Sequence, residues 1–308
     1  MSDNPLSNLH GIVPPLVTPL TNKYELDQSA FSKLLTHVID GGVHGLFVLG
    51  TTGEAPSLTE SVKLKLLEQM GKEVGSQIPW LVGITDTSLG RALDWANQAE
   101  SLGANAVVAA PPSYFPANQA ALYQFFEQLA TESPLPLFLY EIPSHTHNRL
   151  NRDTIISLLQ LPNVVGYKDS TADVMHFHWL YQQIAEMDQP YPYFLGPEEL
   201  LLETTLLGAS GGVNGGANIF PELYVQLYEA VKQAEIETAK ALHQKVMQVS
   251  RFLYQTGTAV TAGIKFALAE LGIGNGLVAP PQLNLTSEEK GHLREFLQEF
   301  TKTLEKHE

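Results

Sequence analysis

The feature that most constrains this chain is a repeated alternation of short, continuous apolar runs with longer segments of helical periodicity. The strand-like runs are GIVPPLVTP (11–19), GLFVLG (45–50), WLVGIT (80–85), ANAVVAAPP (104–112), PLFLYEIP (136–143), NVVGYKDS (163–170), YFLGP (193–197) and GASGGVNG (208–215). Most are apolar throughout rather than alternating with polar residues, the pattern of strands covered on both faces, as in parallel sheets. Eight strand-then-helix units predict a (β/α)8 TIM barrel. A doubly wound open sheet alternates in the same way. It expects a GxGxxG turn after the first strand, and none stands there.

Local signals agree with this reading. Asp27 is placed to cap a helix over QSAFSKLLTHVID, which stops at Gly41-Gly42, and Thr59 is placed to cap the next. Beyond about residue 219 the strands end. Segments 219–232, 235–256, 259–271 and 286–306 all read as helices, punctuated by GIGNGLVAPPQ (272–282). The expected division is a barrel over 1–232 followed by a C-terminal helical region over 233–308.

Composition narrows the function classes. A hydrophobic fraction of 44% in 308 residues supplies a sizeable core, and the net charge of −15 argues against nucleic acid or an anionic membrane surface as partner. There is no cysteine, so neither a disulfide framework nor a thiolate metal site is available. MSDNPLSNLHG lacks the basic and apolar regions of a signal peptide, and no apolar run approaches the ~20 residues of a membrane span. A cytoplasmic protein is the expectation.

In a barrel of this kind, chemistry gathers at the C-terminal ends of the strands. Those ends carry Thr51-Thr52-Gly53-Glu54, Tyr114, Tyr140, Lys168 and the glycine-rich GGVNGGAN (211–218). Lys168 is the anomaly, because an ammonium loses hydration inside a barrel. The same loss lowers its pKa and favours the neutral amine, the form that attacks a ketone to make an imine. Tyr140, one strand away, suits the proton relay such chemistry needs. Thr51 and Thr52 offer hydroxyls and consecutive N–H groups for a carboxylate held beside the imine.

Each residue alone is better explained by a structural reading. Lysines at strand ends snorkel, tyrosines fill cores with the hydroxyl outward, and TTGE is a plausible capping turn. Only their convergence on one rim favours chemistry. Other motifs are weaker. His145 and His147, and His176 and His178, alternate as ligands on a strand do, without a third cluster or HExxH spacing. GGVNGGAN lacks the Lys-Ser/Thr pair of a phosphate loop, no GxSxG elbow is present, and Asp169 is expected on the strand face opposite Lys168.

Taken in order, GIVPPLVTPL, GTTGEAPSLT, PPSYF, LYEIP, VGYKDS and KFALAELGI (265–273) resemble the pyruvate-dependent class I aldolases that include dihydrodipicolinate synthase and N-acetylneuraminate lyase. The resemblance spans nearly the whole chain. It implies that Lys168 forms a Schiff base with pyruvate or another 2-oxo acid and that Tyr140 is the general acid/base. Thr51 and Thr52 match the carboxylate and relay threonines, and Val213 matches a residue whose backbone carbonyl lines the pyruvate pocket. Tyr114 matches a tyrosine that reaches a neighbouring subunit's site, within a homotetramer built as a dimer of dimers. No metal or organic cofactor is implied, since the lysine is the electron sink.

The departures bear on the second substrate. The synthases carry Gly-Arg-Thr where this chain has Ser144-His145-Thr146, and a histidine does not reproduce the arginine's bidentate grip on a carboxylate. Glu141 replaces the usual Asn; facing the pocket, it is expected to disfavour an acidic aldehyde and to hydrogen-bond polyol hydroxyls. The expected activity is therefore a lyase joining or separating pyruvate and an aldehyde, on a 2-keto-3-deoxy sugar acid or related 4-hydroxy-2-oxo acid. The rivals are 4-hydroxy-tetrahydrodipicolinate (dihydrodipicolinate) synthase, a 2-keto-3-deoxy acid dehydratase and a non-catalytic 2-oxo-acid binding protein.

Overall fold

The computed structural model describes Leu6, residues 8–254 and residues 260–305. Eight parallel strands form one curled sheet: β1 (Gly11–Ile12), β2 (Leu46–Val48), β3 (Trp80–Gly83), β4 (Ala106–Ala109), β5 (Leu137–Glu141), β6 (Val164–Asp169), β7 (Tyr193–Leu195) and β8 (Gly211–Gly212). Each pairs with its sequence neighbour from β2 to β8, and β8 pairs with β1. The ring closes through a parallel bridge between Pro15 and Phe47, with Leu16 N donating to Phe47 O at 2.8 Å. This is the expected (β/α)8 barrel.

Helices α1 (Gln28–Asp40), α2 (Glu60–Glu73), α3 (Leu89–Ser101), α4 (Gln119–Glu132), α5 (Arg152–Leu159), α6 (Val174–Ala185), α7 (Leu201–Leu206) and α8 (Pro221–Lys232) follow the strands in turn. The sequence caps form as expected: Asp27 accepts from Ala30 N, Thr59 accepts from Val62 N, and Gly42 takes the left-handed turn after α1 at φ +80°.

The first strand is much shorter than the expected 11–19. Pro14, Pro15 and Pro19 have no N–H to give a ladder, so regular pairing stops at Ile12. Beyond it, side chains serve the backbone: Val17 N donates to Asn218 Oδ1 at 3.1 Å, and Asn218 Nδ2 donates to Pro15 O at 3.0 Å. A short antiparallel hairpin, Leu20–Asn22 with Glu25–Leu26, follows where no strand was expected.

Three further helices complete the described chain: α9 (Ile236–Tyr254), α10 (Val260–Glu270) and α11 (Ser287–Glu305). The expected helical positions 255–256, 259 and 306 lie outside the described residues. Val246, Ile264, Leu268, Leu293 and Phe300 from these helices share one buried apolar cluster with the outward-facing strand residues. Inside the barrel a second cluster gathers Val13, Phe47, Leu81, Val108, Phe138 and Phe194. Among the described residues, no helix is long and apolar enough to cross a membrane.

Candidate active site

Lys168 and Tyr140 are paired by register. Their Cα atoms are partners across β6 and β5, one position before Asp169 and Glu141. The ladder is irregular between Leu137 and Phe138, which puts Gly166 opposite Phe138. A Cβ on Gly166 would lie 2.2 Å from the Phe138 ring, so glycine is what lets that ring fill the barrel below the lysine.

Lys168 is 6% exposed. Its Nζ lies 3.5 Å from the centroid of the Tyr140 ring and donates to Ser170 Oγ at 2.9 Å. Burial pulls the lysine's pKa below its ordinary value, against the opposing pull of Tyr140 and Asp169. For Tyr140 burial acts to raise the pKa. The Lys168 charge, with hydrogen bonds to Thr51, Lys168 and Ser170, outweighs it and holds the phenol below its usual range. Thr51 Oγ1 stands 3.3 Å from the Tyr140 hydroxyl. An amine poised to lose its proton therefore sits beside a phenol poised to exchange one.

The turn that carries Thr51 and Thr52 is closely held. Glu54 adopts the left-handed conformation at φ +59°, its N–H donates to Thr51 O at 3.0 Å, and Thr18 Oγ1 donates to Gly53 O at 2.8 Å. Thr51, Thr52, Tyr140, Lys168 and Val213 all line one cavity of about 540 Å³ at the C-terminal mouth of the barrel. His145 also lines it, from the short helix Pro143–Thr146. Its Nδ1 is 3.0 Å from Ser144 Oγ, and burial, then the Lys168 charge, lowers its pKa.

The cavity also holds residues that sequence reasoning missed. Ser170 is one, although it lies two positions after Lys168 and the period of a strand puts both on one face. Glu199 and Tyr254 line the cavity too, and Glu199 Oε1 accepts from Ser250 Oγ. No sequence signal linked them, since α9 begins some 40 residues after β7 ends.

Glu141 corrects the expectation that it faces the pocket. It is fully buried on the outer face of β5 and accepts from Leu150 N through both carboxylate oxygens, at 3.3 and 3.2 Å. Strand alternation dictates this, since Tyr140 points inward. Burial pushes the Glu141 carboxyl up to about 8. Asp169, as expected, also points outward, accepting from Tyr193 OH at 2.7 Å.

Tyr114 stands outside its own chain's cavity, 83% exposed, at φ +82° and edge-on to Phe115. The histidine pairs do not assemble a metal site: among the described residues no group of three His, Cys, Asp or Glu side chains is placed to hold one. His176 instead lies 3.3 Å from Tyr167 OH behind the sheet.

Comparison with known proteins matches residues 8–300 to the dihydrodipicolinate synthetase family. A crystal structure of dihydrodipicolinate synthase from Bacteroides thetaiotaomicron is 42% identical, with a TM-score of 0.91, covering 94% of this chain and 98% of that one. A prophage protein of Escherichia coli K12 from the dihydrodipicolinic acid synthase family, solved in complex with pyruvate, is 28% identical at a TM-score of 0.90, covering 95% and 98%. A probable 2-dehydro-3-deoxy-D-pentonate aldolase of Escherichia coli is 30% identical over 287 residues, 92% of this chain and 95% of the relative. The chain belongs to the dihydrodipicolinate synthetase family, and it is a lyase.

Proposed function

We propose that the enzyme makes or breaks a carbon–carbon bond between pyruvate and an aldehyde through an imine on Lys168, with a 2-keto-3-deoxy sugar acid or related 4-hydroxy-2-oxo acid as substrate. The observation that carries this reading is the buried Lys168 amine held against Tyr140 and Ser170 inside a cavity that also presents Thr51 and Thr52. The complex of the prophage relative with pyruvate supports the choice of oxo acid.

In the cleavage direction, the neutral Lys168 amine adds to the C2 carbonyl. Tyr140 gives a proton to the departing hydroxyl, water leaves, and a protonated imine remains. The Tyr140 phenolate then takes the C4 hydroxyl proton as the C3–C4 bond breaks. The bonding pair flows into the imine, the aldehyde leaves, and an enamine remains. Protonation at C3 and hydrolysis of the imine return pyruvate and free Lys168. Thr51 and Thr52 hold the carboxylate, and the Val213 backbone carbonyl lines the same end. Tyr114 completes the relay of a neighbouring subunit in a homotetramer, where its exposed position is put to use.

The cavity wall selects the aldehyde. His145 and Glu199 are part of it, and among the described lining residues there is no arginine. A carboxylate in that wall disfavours an anionic aldehyde and accepts hydrogen bonds from hydroxyls. The named aldolase relative points the same way. The Bacteroides structure favours a second reading, dihydrodipicolinate synthesis from aspartate semialdehyde.

Borohydride reduction in the presence of pyruvate tests the imine. We expect a stable mass increase on Lys168, and its absence sinks the proposal. A panel of aldehydes assayed with pyruvate then decides between the readings. Hydroxylated neutral aldehydes are expected to react fastest; a clear preference for aspartate semialdehyde establishes the synthase instead.

A further inference from the structure

Glu54 and Lys265 form an ion pair with almost no access to water. Their side chains are 0% and 3% exposed, and Lys265 Nζ meets Glu54 Oε2 directly. Glu54 is the last residue of the turn that presents Thr51 and Thr52, while Lys265 lies in the middle of α10. The pair is also tied to the segment after α10: Ala279 N donates to Glu54 Oε1 at 2.7 Å, and Lys265 Nζ donates to Leu277 O at 2.9 Å. Burial lowers the Lys265 pKa, and the Glu54 charge opposes that shift.

A pair like this is a poor device for stability alone. Desolvating two charges consumes most of their attraction, and well-packed apolar residues usually serve a core at least as well. What the pair provides is direction. Glu54 sits at φ +59°, a conformation that costs energy for a residue with a side chain and persists where its surroundings hold it. Its N–H closes the turn onto Thr51 O at 3.0 Å. The chain therefore links Lys265 to Glu54, Glu54 to the Thr51 peptide, and Thr51 Oγ1 to Tyr140 OH at 3.3 Å.

Helix α10 also reaches the cavity, as does α9. Tyr254, the last residue of α9, and Val260, the first of α10, both line it. We propose that the Glu54–Lys265 pair is a positioning device for the substrate carboxylate: it fixes the Thr51–Thr52 turn against α10, so that the C-terminal helices set the carboxylate end of the cavity. Neither residue lines the cavity, so both act through the threonines. This inference rests on the imine reading of Lys168, and its test separates the two.

The experiment compares borohydride trapping of pyruvate with trapping of acetone, a ketone that forms the same imine without a carboxylate. In the unaltered enzyme both label Lys168, with pyruvate half-saturating at far lower concentration. Lys265 left buried without a counter-charge is expected to be strongly destabilising, so Glu54→Gln is combined with Lys265→Met, which removes both charges at similar volume. Glu54→Asp serves as the second variant, keeping the pair's charge while shortening its reach.

The expected result is a rise of about tenfold or more in half-saturating pyruvate in the double variant, with acetone trapping unchanged. Glu54→Asp is expected to show a smaller rise of the same selectivity. An unchanged pyruvate response in both variants overturns the proposal. So does a parallel loss of pyruvate and acetone trapping, which marks general disruption of the barrel. Failure of the unaltered enzyme to label with either ketone overturns the imine reading itself, and this inference with it.

Discussion

The amine of Lys168 stands 3.5 Å above the ring of Tyr140, and the two residues are held there by backbone pairing of adjacent strands. The tyrosine's position is thus independent of its hydroxyl. Tyr140→Phe is expected to keep the fold and still accumulate the pyruvate adduct, though more slowly, while turnover falls by about 10²- to 10⁴-fold, the range for losing a positioned general acid/base. Steady-state rates beside mass spectrometry of the trapped enzyme check this; full turnover in the variant removes Tyr140 from the relay.

The pH dependence of adduct formation reports on the lysine. Burial lowers the Lys168 pKa, and the neutral amine is the reacting form, so trapping rises with pH and levels off below the ~10.4 of a free lysine side chain. Initial trapping rates measured across pH at fixed pyruvate give the midpoint. A midpoint at the free-lysine value contradicts a desolvated amine.

Glu141 sets a different pH response, in stability. Its folded pKa of about 8 lies above the unfolded value near 4.5, so the folded state binds the extra proton between these limits. Its contribution is complete below about pH 4.5 and is lost as pH rises through about 8. Glu141→Gln keeps an acceptor for Leu150 N and has no proton to lose. Denaturant unfolding at pH 5 and pH 9 is expected to show the parent losing roughly 2–4 kcal/mol more than the variant. Equal losses refute the assignment.

At the cavity rim, His145→Arg supplies the bidentate fork that the parent lacks. The variant is expected to gain about tenfold in kcat/KM for aspartate semialdehyde relative to glyceraldehyde, since one charge-assisted pair is worth roughly 1.5–3 kcal/mol before desolvation. Competition assays between the two aldehydes measure the ratio directly. No shift means that His145 does not contact the aldehyde.

The barrel was legible because continuous apolar strands and capped helices are local signals, and they recur eight times. Thr51, Thr52, Tyr140 and Lys168 were legible as occupants of one rim, since strand order places strand ends together, while Val213 and His145 came from the family resemblance. Glu141 was misplaced by reading a motif without the alternation that turns every second side chain outward. The proline-rich first strand was overlong for a similar reason: an apolar run says nothing about missing N–H donors. Glu199, Tyr254 and the Glu54–Lys265 pair were out of reach because they depend on how α9 and α10 return to the barrel, a long-range arrangement with no periodic signature.

The pairing of β5 with β6 has a consequence for quality control. Tyr140 and Lys168 face inward while Glu141 and Asp169 face outward, so slipping one strand by a single residue would exchange the two faces. A displaced Lys168 would leave the mouth of the barrel, and ionisable groups would be driven into the apolar interior without their partners. A misthreaded strand pair is thus penalised by the same residues whose alignment makes the site, and a preparation that holds its native fold should have its lysine in place. On the proposed imine chemistry, titrating that lysine with a trapping ketone would count the correctly folded molecules.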